Sequence, residues 1–132
     1  MRKENRLASE ADFRRVRGEG RAWAHPLLVL HARRSSGPTF RLGVSTSKRL
    51  GKAVVRNRVR RRFRELFRAR LKGLREGWDV VIVARPGAAG ASFSQLGEAV
   101  DQLLARAHLL RLHLPSEAAS STTPSREQPA RE

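Results

Sequence analysis

Between Arg41 and Lys72 the chain places thirteen basic residues (Arg41, Lys48, Arg49, Lys52, Arg56, Arg58, Arg60, Arg61, Arg62, Arg64, Arg68, Arg70 and Lys72) against one acid, Glu65. Charge of that density repels itself unless a polyanion is close. Nucleic acid is the polyanion that best fits, because neutralising its phosphates releases condensed counterions. Six of the arginines (Arg56, Arg58, Arg60, Arg61, Arg62 and Arg64) fall within nine positions. Arginine suits the task because its planar fork takes phosphate oxygens in pairs. An arginine-rich helix face is ordinarily a solvated surface of mixed charge. Here the acids that would pair along such a helix are nearly missing, which argues for a phosphate-binding surface instead.

Other side chains fit two readings. Asn57, between two arginines, suits a hydrogen bond to a base edge or ribose and equally a cap on a first helical turn. Phe13 and His31 have the chemistry to stack on unpaired bases. Their spacing alone favours core packing for Phe13 and a hydrogen-bonded strand position for His31. Ser45, Thr46 and Ser47, just before Lys48, suit phosphate donors or plain loop chemistry. No constellation for catalysis stands out. The four histidines (His25, His31, His108 and His113) are dispersed without metal-ligand spacing, and neither a Walker loop nor a nucleophile elbow occurs. The residues describe an RNA- or DNA-binding domain with no self-contained active site.

These side chains need a scaffold, and the periodicities predict one. Ser9 caps a short helix bearing Phe13 and Val16, ended by Gly18 and Gly20. Leu27–Ala32 reads as a buried strand, with a short strand before it near Arg21–Trp23. Ser35–Pro38 is a turn, and Phe40, Leu42 and Val44 alternate as a half-buried strand. The short turn suggests that these last two strands form an antiparallel pair. Val55, Val59, Phe63, Leu66, Phe67 and Leu74 share one face of a helix predicted from about Ala53 to Lys72, about 30 Å long. Asn57, Arg61, Arg64 and Arg68 take the opposite face. Trp78–Ala84 is the most apolar strand. Ser92 and Gln95 then form a capping box before a last helix with the stripe Leu96, Val100, Leu103, Ala107 and Leu110. The fold class is α+β, in the order α-β-β-β-α-β-α, with the basic helix laid on a sheet.

The totals bound the rest. A chain of 132 residues with net charge +16 and no cysteine is one domain without a disulfide scaffold or a cysteine zinc site. The charge is uneven: residues 1–40 carry +5 and residues 73–132 carry −1. The charged N-terminus resembles no signal peptide and no apolar run is long enough to span a bilayer, so a soluble cytoplasmic protein without a membrane partner is expected. The domain is expected over residues 1–114, with residues 115–132 as a disordered polar tail.

The run from Arg41 to Arg62 closely resembles the signature of the bacterial ribonuclease P protein subunit. Its marks are Gly43-Val44-Ser45-Thr46-Ser47-Lys48, then Gly51-Lys52-Ala53-Val54-Val55-Arg56-Asn57-Arg58 opening an arginine-rich helix. Asn5-Arg6-Leu7, Asp12-Phe13, Val16 and the strand Asp79–Arg85 extend the likeness over residues 1–112. The resemblance implies a single-domain α/β sandwich, similar to a ribosomal-protein domain, with a left-handed βαβ crossover. It implies as partners the catalytic RNA of ribonuclease P and precursor tRNA, with no obligatory protein partner. The holoenzyme removes the 5′ leader, and Mg2+ is held by the RNA and substrate. On that resemblance the protein itself is expected to contribute no catalytic residue and no metal site.

Matched position by position, the resemblance places Arg56, Asn57 and Arg58 against the catalytic RNA. Arg60, Arg61, Arg62 and Arg64 extend that surface, and Lys48, Arg49 and Lys52 stand at its entry. It places Phe13, Arg14, Arg17, His31, Ser45 and Ser47 at the leader. Arg17 stands where many members carry an aromatic residue, and His31 where tyrosine is common. The competing class is a structural, ribosomal-type RNA-binding protein without a processing role.

Overall fold

Trp78–Ala84 is apolar on both faces, so it needs a neighbour on either side and a layer above and below. The computed structural model describes residues 3–7, 9–35 and 37–110 and meets that demand. Helix α1 (Glu10–Glu19) precedes strands β1 (Arg21–His25), β2 (Leu28–Arg34) and β3 (Arg41–Ser45). Helix α2 (Ala53–Arg70), strand β4 (Trp78–Ala84) and helix α3 (Phe93–Arg106) follow. The sheet order is β1-β2-β4-β3. Strand β4 pairs antiparallel with β2 and parallel with β3, and α2 makes the crossover between β3 and β4.

The expected antiparallel pairing of the second and third strands does not form, because β4 lies between them. The short loop between those strands suggested adjacency. The greater apolar burial of β4 takes the central place instead, and all but its first and sixth residues are buried.

Alternation across the sheet sorts the layers. Leu28, Leu30, Leu42, Val44, Val80 and Ile82 belong to the main core with Val59, Phe63, Leu66 and Phe67 of α2 and Leu96, Val100, Leu103 and Leu104 of α3. Phe40 stacks on Phe67 with ring centroids 6.2 Å apart. On the other face α1 seats Val16 against Val81 and Leu7, with Phe13 and Val83 at the margin.

The caps follow the sequence. Ser9 Oγ accepts from Asp12 N at 3.0 Å, and the Ser92–Gln95 capping box is closed at 3.1 and 2.8 Å. Gly18 lies inside α1, and Gly20 alone ends it. A Cβ at Gly20 would stand 2.7 Å from Val16 O and nearer still to Ala32 O, so only glycine lets α1 turn directly into the sheet.

Two predicted helix ends shift. The α-helical part of α2 stops at Arg70 and tightens into a 3-10 turn, Leu71–Gly73. Leu74, placed on the helical stripe by spacing, is buried beyond the helix and bridges to Leu110. Leu110 is likewise outside α3, because His108 takes a φ of 57° and turns the chain. The proposed domain end at residue 114 and the polar tail lie outside the described residues.

Candidate nucleic-acid interface

Helix α2 buries Val59, Phe63, Leu66 and Phe67, and its arginines occupy both flanks and the crest. On the flank beside β3, Arg56, Arg60 and Arg64 follow one another a turn apart. Arg60 donates from Nη1 to Thr46 Oγ1 at 2.6 Å and from Nη2 to Asn57 Oδ1. Both acceptors are neutral, so the guanidinium is aimed while its charge is kept. Burial, then Arg6 and Arg60, holds the Arg64 guanidinium below the ordinary arginine range.

On the other flank, Arg58 and Arg62 donate to the carbonyl oxygens of Ala89 and Ala91 at 3.4 and 3.3 Å. Arg61 and Arg68 are exposed on the crest, where Arg68 pairs with Glu65. Val54 is 70% exposed near the N-terminus of the helix. Lys52 occupies the N-cap position without a side-chain cap, and the first turn carries no acid. Asn57 is therefore no cap. It sits inside the helix and orients Arg60.

Lys48 and Arg49 lie in a 3-10 turn, Lys48–Leu50, that Ser47 caps by accepting from Arg49 N at 3.2 Å. Two members of the basic run turn out to serve the fold. Arg41 makes paired bonds of 2.8 Å to Asp79, a bond that raises the Arg41 pKa above its usual value. Arg70 reaches Asp101 of α3 at 2.6 and 3.1 Å.

The second surface is the sheet face beside α1. Strand register places Ala22, His31, Val81 and Gly43 in one row across the sheet, and Ala24, Val29, Val83 and Ser45 in the next. One flank of α1 is tied the opposite way, by Glu19 to Arg33 at 2.9 Å and by Asp12 to Arg41 at 3.9 Å. The opposite flank carries Phe13, Arg14 and Arg17; Phe13 lies over Gly43 and packs with Val83 at the margin of the Val16 cluster, beside the Ala24–Ser45 row. Arg14 and Arg17 are exposed, while Phe13 and Ser45 are half-buried. His31 is only 6% exposed, in the row under α1. The expected contact of His31 with a leader base therefore falls on a side chain that the fold itself encloses. Val29 and Val83, which sequence reasoning passed over as core, form the floor of this strip. Only the pairing register reveals them.

Gly43 is what admits Phe13. A Cβ there would fall 2.9 Å from Phe13 Cε1 and closer to Cζ. Gly43→Ala is expected to cost about 1–3 kcal/mol through overpacking, measured by denaturant unfolding. The same change in a Phe13→Ala background should cost much less. Equal costs in both backgrounds would show that the ring is not what the glycine accommodates.

Among the described residues no three His, Cys, Asp or Glu side chains gather as a metal site. The arginine face repels a free cation. No helix among the described residues is long and apolar enough to cross a membrane.

The fold and its two surfaces define a small α+β RNA-binding domain that presents aimed guanidiniums beside a partly apolar strip of sheet. The chain matches the family model Ribonuclease P over residues 1–108, and it belongs to the ribonuclease P protein family. It is 44% identical over 109 residues to the ribonuclease P protein component of Herpetosiphon aurantiacus, covering 83% of this chain and 89% of that one. The Roseiflexus sp. protein component is 42% identical over 112 residues, covering 84% and 92%. The solved Staphylococcus aureus RNase P protein superposes with a TM-score of 0.75 at 30% identity, covering 80% of this chain and 97% of that one. The role is that of the protein component of ribonuclease P, an RNA-binding part in tRNA processing.

Proposed function

We propose that α2 docks this chain on the catalytic RNA of ribonuclease P while the strip beside α1 receives the 5′ leader of precursor tRNA. Arg56, Asn57, Arg58, Arg60, Arg61, Arg62 and Arg64 meet the catalytic RNA, with Lys48, Arg49 and Lys52 at the entry. Phe13, Arg14, Arg17 and Ser45 border the leader, while Ser47 joins the two surfaces. The holoenzyme, acting in the cytoplasm, cuts the phosphodiester bond that joins leader to mature tRNA. The RNA and its substrate hold the Mg2+ and carry the chemistry. The protein supplies fixed positive charge that offsets repulsion between two RNA backbones, and so lowers the magnesium needed.

The observation carrying this reading is the set of α2 guanidiniums that hydrogen-bond only neutral oxygens (Arg58, Arg60 and Arg62). They are held in place with their charge left over for a partner. The test is cleavage of 5′-labelled precursor tRNA by the cognate catalytic RNA at low magnesium, with and without the protein, and with protein alone. Cleavage at the mature 5′ end only with both components supports it. Tight RNA binding without stimulation would support the structural RNA-binding class instead.

Arg58→Ala is expected to reduce that stimulated cleavage about tenfold or more, the loss of a charge-assisted contact. Its single long bond to Ala89 O leaves little stability at stake. Equal losses of activity and of folding stability would show Arg58 to be structural.

A further inference from the structure

The chain neutralises arginines that build the fold. Arg15 has Asp12, Arg33 has Glu19, Arg41 has Asp79 and Arg70 has Asp101. Arg6, Arg60 and Arg64, like much of the α2 surface, have no such partner among the described residues. Two of the three act on the third.

Their positions are imposed by three separate elements. The N-terminal segment lies along the outer edge of β3: Arg6 bridges Leu42 in parallel, and Leu7 N donates to Leu42 O at 3.0 Å. Buried Asn5 locks the same segment with a bond of 2.7 Å to Phe40 O. Arg60 is aimed from α2 by Thr46, one residue past β3, and Arg64 follows one turn later. Like charges brought together by a rigid scaffold raise the free energy of the folded protein unless an anion joins them. The planar fork of arginine favours an oxyanion with several oxygens.

We propose that Arg6, Arg60 and Arg64 form one seat for a single phosphate of an RNA backbone, closed on one side by the N-terminal segment and on the other by α2. This deepens the ribonuclease P reading and rests on it. Arg6 becomes an RNA ligand that lies 47 residues before the start of the arginine-rich helix at Ala53. The N-terminal segment is therefore part of the RNA surface as well as a cover for the β3 edge.

The test titrates the cognate catalytic RNA against the parent protein, Arg6→Gln, Arg64→Gln, the double variant and Arg15→Gln over a salt series, with thermal melts of each. Arg6→Gln and Arg64→Gln are each expected to bind about tenfold more weakly. The slope of log affinity on log salt should become shallower by roughly 0.7–0.9, the value for one phosphate. The double variant should lose less than the product of the two, because both arginines serve the same phosphate. Melting temperatures should stay level or rise, since a like-charge contact is relieved, whereas loss of a structural arginine lowers them. Arg15→Gln removes an equal charge away from the seat and should stay within about twofold of the parent, as for an exposed pair.

Parental affinity in Arg6→Gln would overturn the seat while leaving the ribonuclease P reading intact. Strictly multiplicative losses would overturn the shared phosphate. A parent protein that binds the RNA without salt dependence would overturn the reading of function beneath both.

Discussion

Raising salt from about 50 to about 200 mM is expected to weaken binding to the catalytic RNA by about 10³-fold or more, the loss typical of six to ten phosphate contacts. The side chains that would meet those phosphates lack ionic partners of their own. Lys48, Arg49, Lys52, Arg56, Arg58, Arg60, Arg61, Arg62 and Arg64 form no salt bridge among the described residues. Each phosphate they neutralise releases counterions, and added salt lowers the entropy gained by that release. The free protein should respond the other way. Its self-repulsion is screened over a Debye length of about 8 Å at physiological ionic strength, so its melting temperature should rise over the same series. Affinity by salt titration and stability by thermal melts check both directions. A flat affinity over that range would mean that the interface is not driven by phosphate.

Arg41→Gln is expected to remove about 3 kcal/mol or more of folding stability, the largest loss among the arginine variants considered. The side chain of Asp79 is 4% exposed and receives both of its bonds of 2.8 Å from Arg41. Removing the guanidinium leaves a buried carboxylate on the central strand without its main partner, at the point where α1, β3 and β4 meet. The paired replacement Arg41→Met with Asp79→Leu should cost far less, since it removes the charge along with its partner. Denaturant midpoints of the single and double variants decide the matter. A single variant within about 1 kcal/mol of the parent, an ordinary surface effect, would show that Asp79 finds other support.

Arg41 and Arg58 also mark how far the sequence could be read. Both belong to one basic run, and spacing alone assigns them alike. Helix α2, its apolar face and its arginines were legible because the 3.6-residue period and the near absence of acids are local signals. The capping box at Ser92 and the apolar strand Trp78–Ala84 were legible for the same reason. The partner of Arg41 was not legible, because Asp79 lies 38 residues away and is reached only through the parallel pairing of β3 with β4.

The burial of His31 was hidden in the same way. Its row under α1 depends on strand register, and no periodicity carries that. The position of Arg6 beside Arg64 depends on a bridge to the β3 edge, which no local pattern announces. The mistaken pairing of the second and third strands came from trusting loop length over the demand of β4 to be covered on all sides.

The place of β4 in the sheet also governs how the chain is made. Synthesis delivers α1, β1, β2, β3 and the whole arginine helix before the strand that joins β2 to β3 has left the ribosome. Until about residue 84 emerges, β2 and β3 have no common neighbour, and the apolar face of α2 has only half a sheet to lie on. The pairings that complete the domain are long-range, which favours late and cooperative assembly over stepwise growth from the N-terminus. A nascent chain halted before Trp78 is thus a basic, unassembled polypeptide, and the aimed guanidiniums of the RNA surface come into being in one step with the central strand.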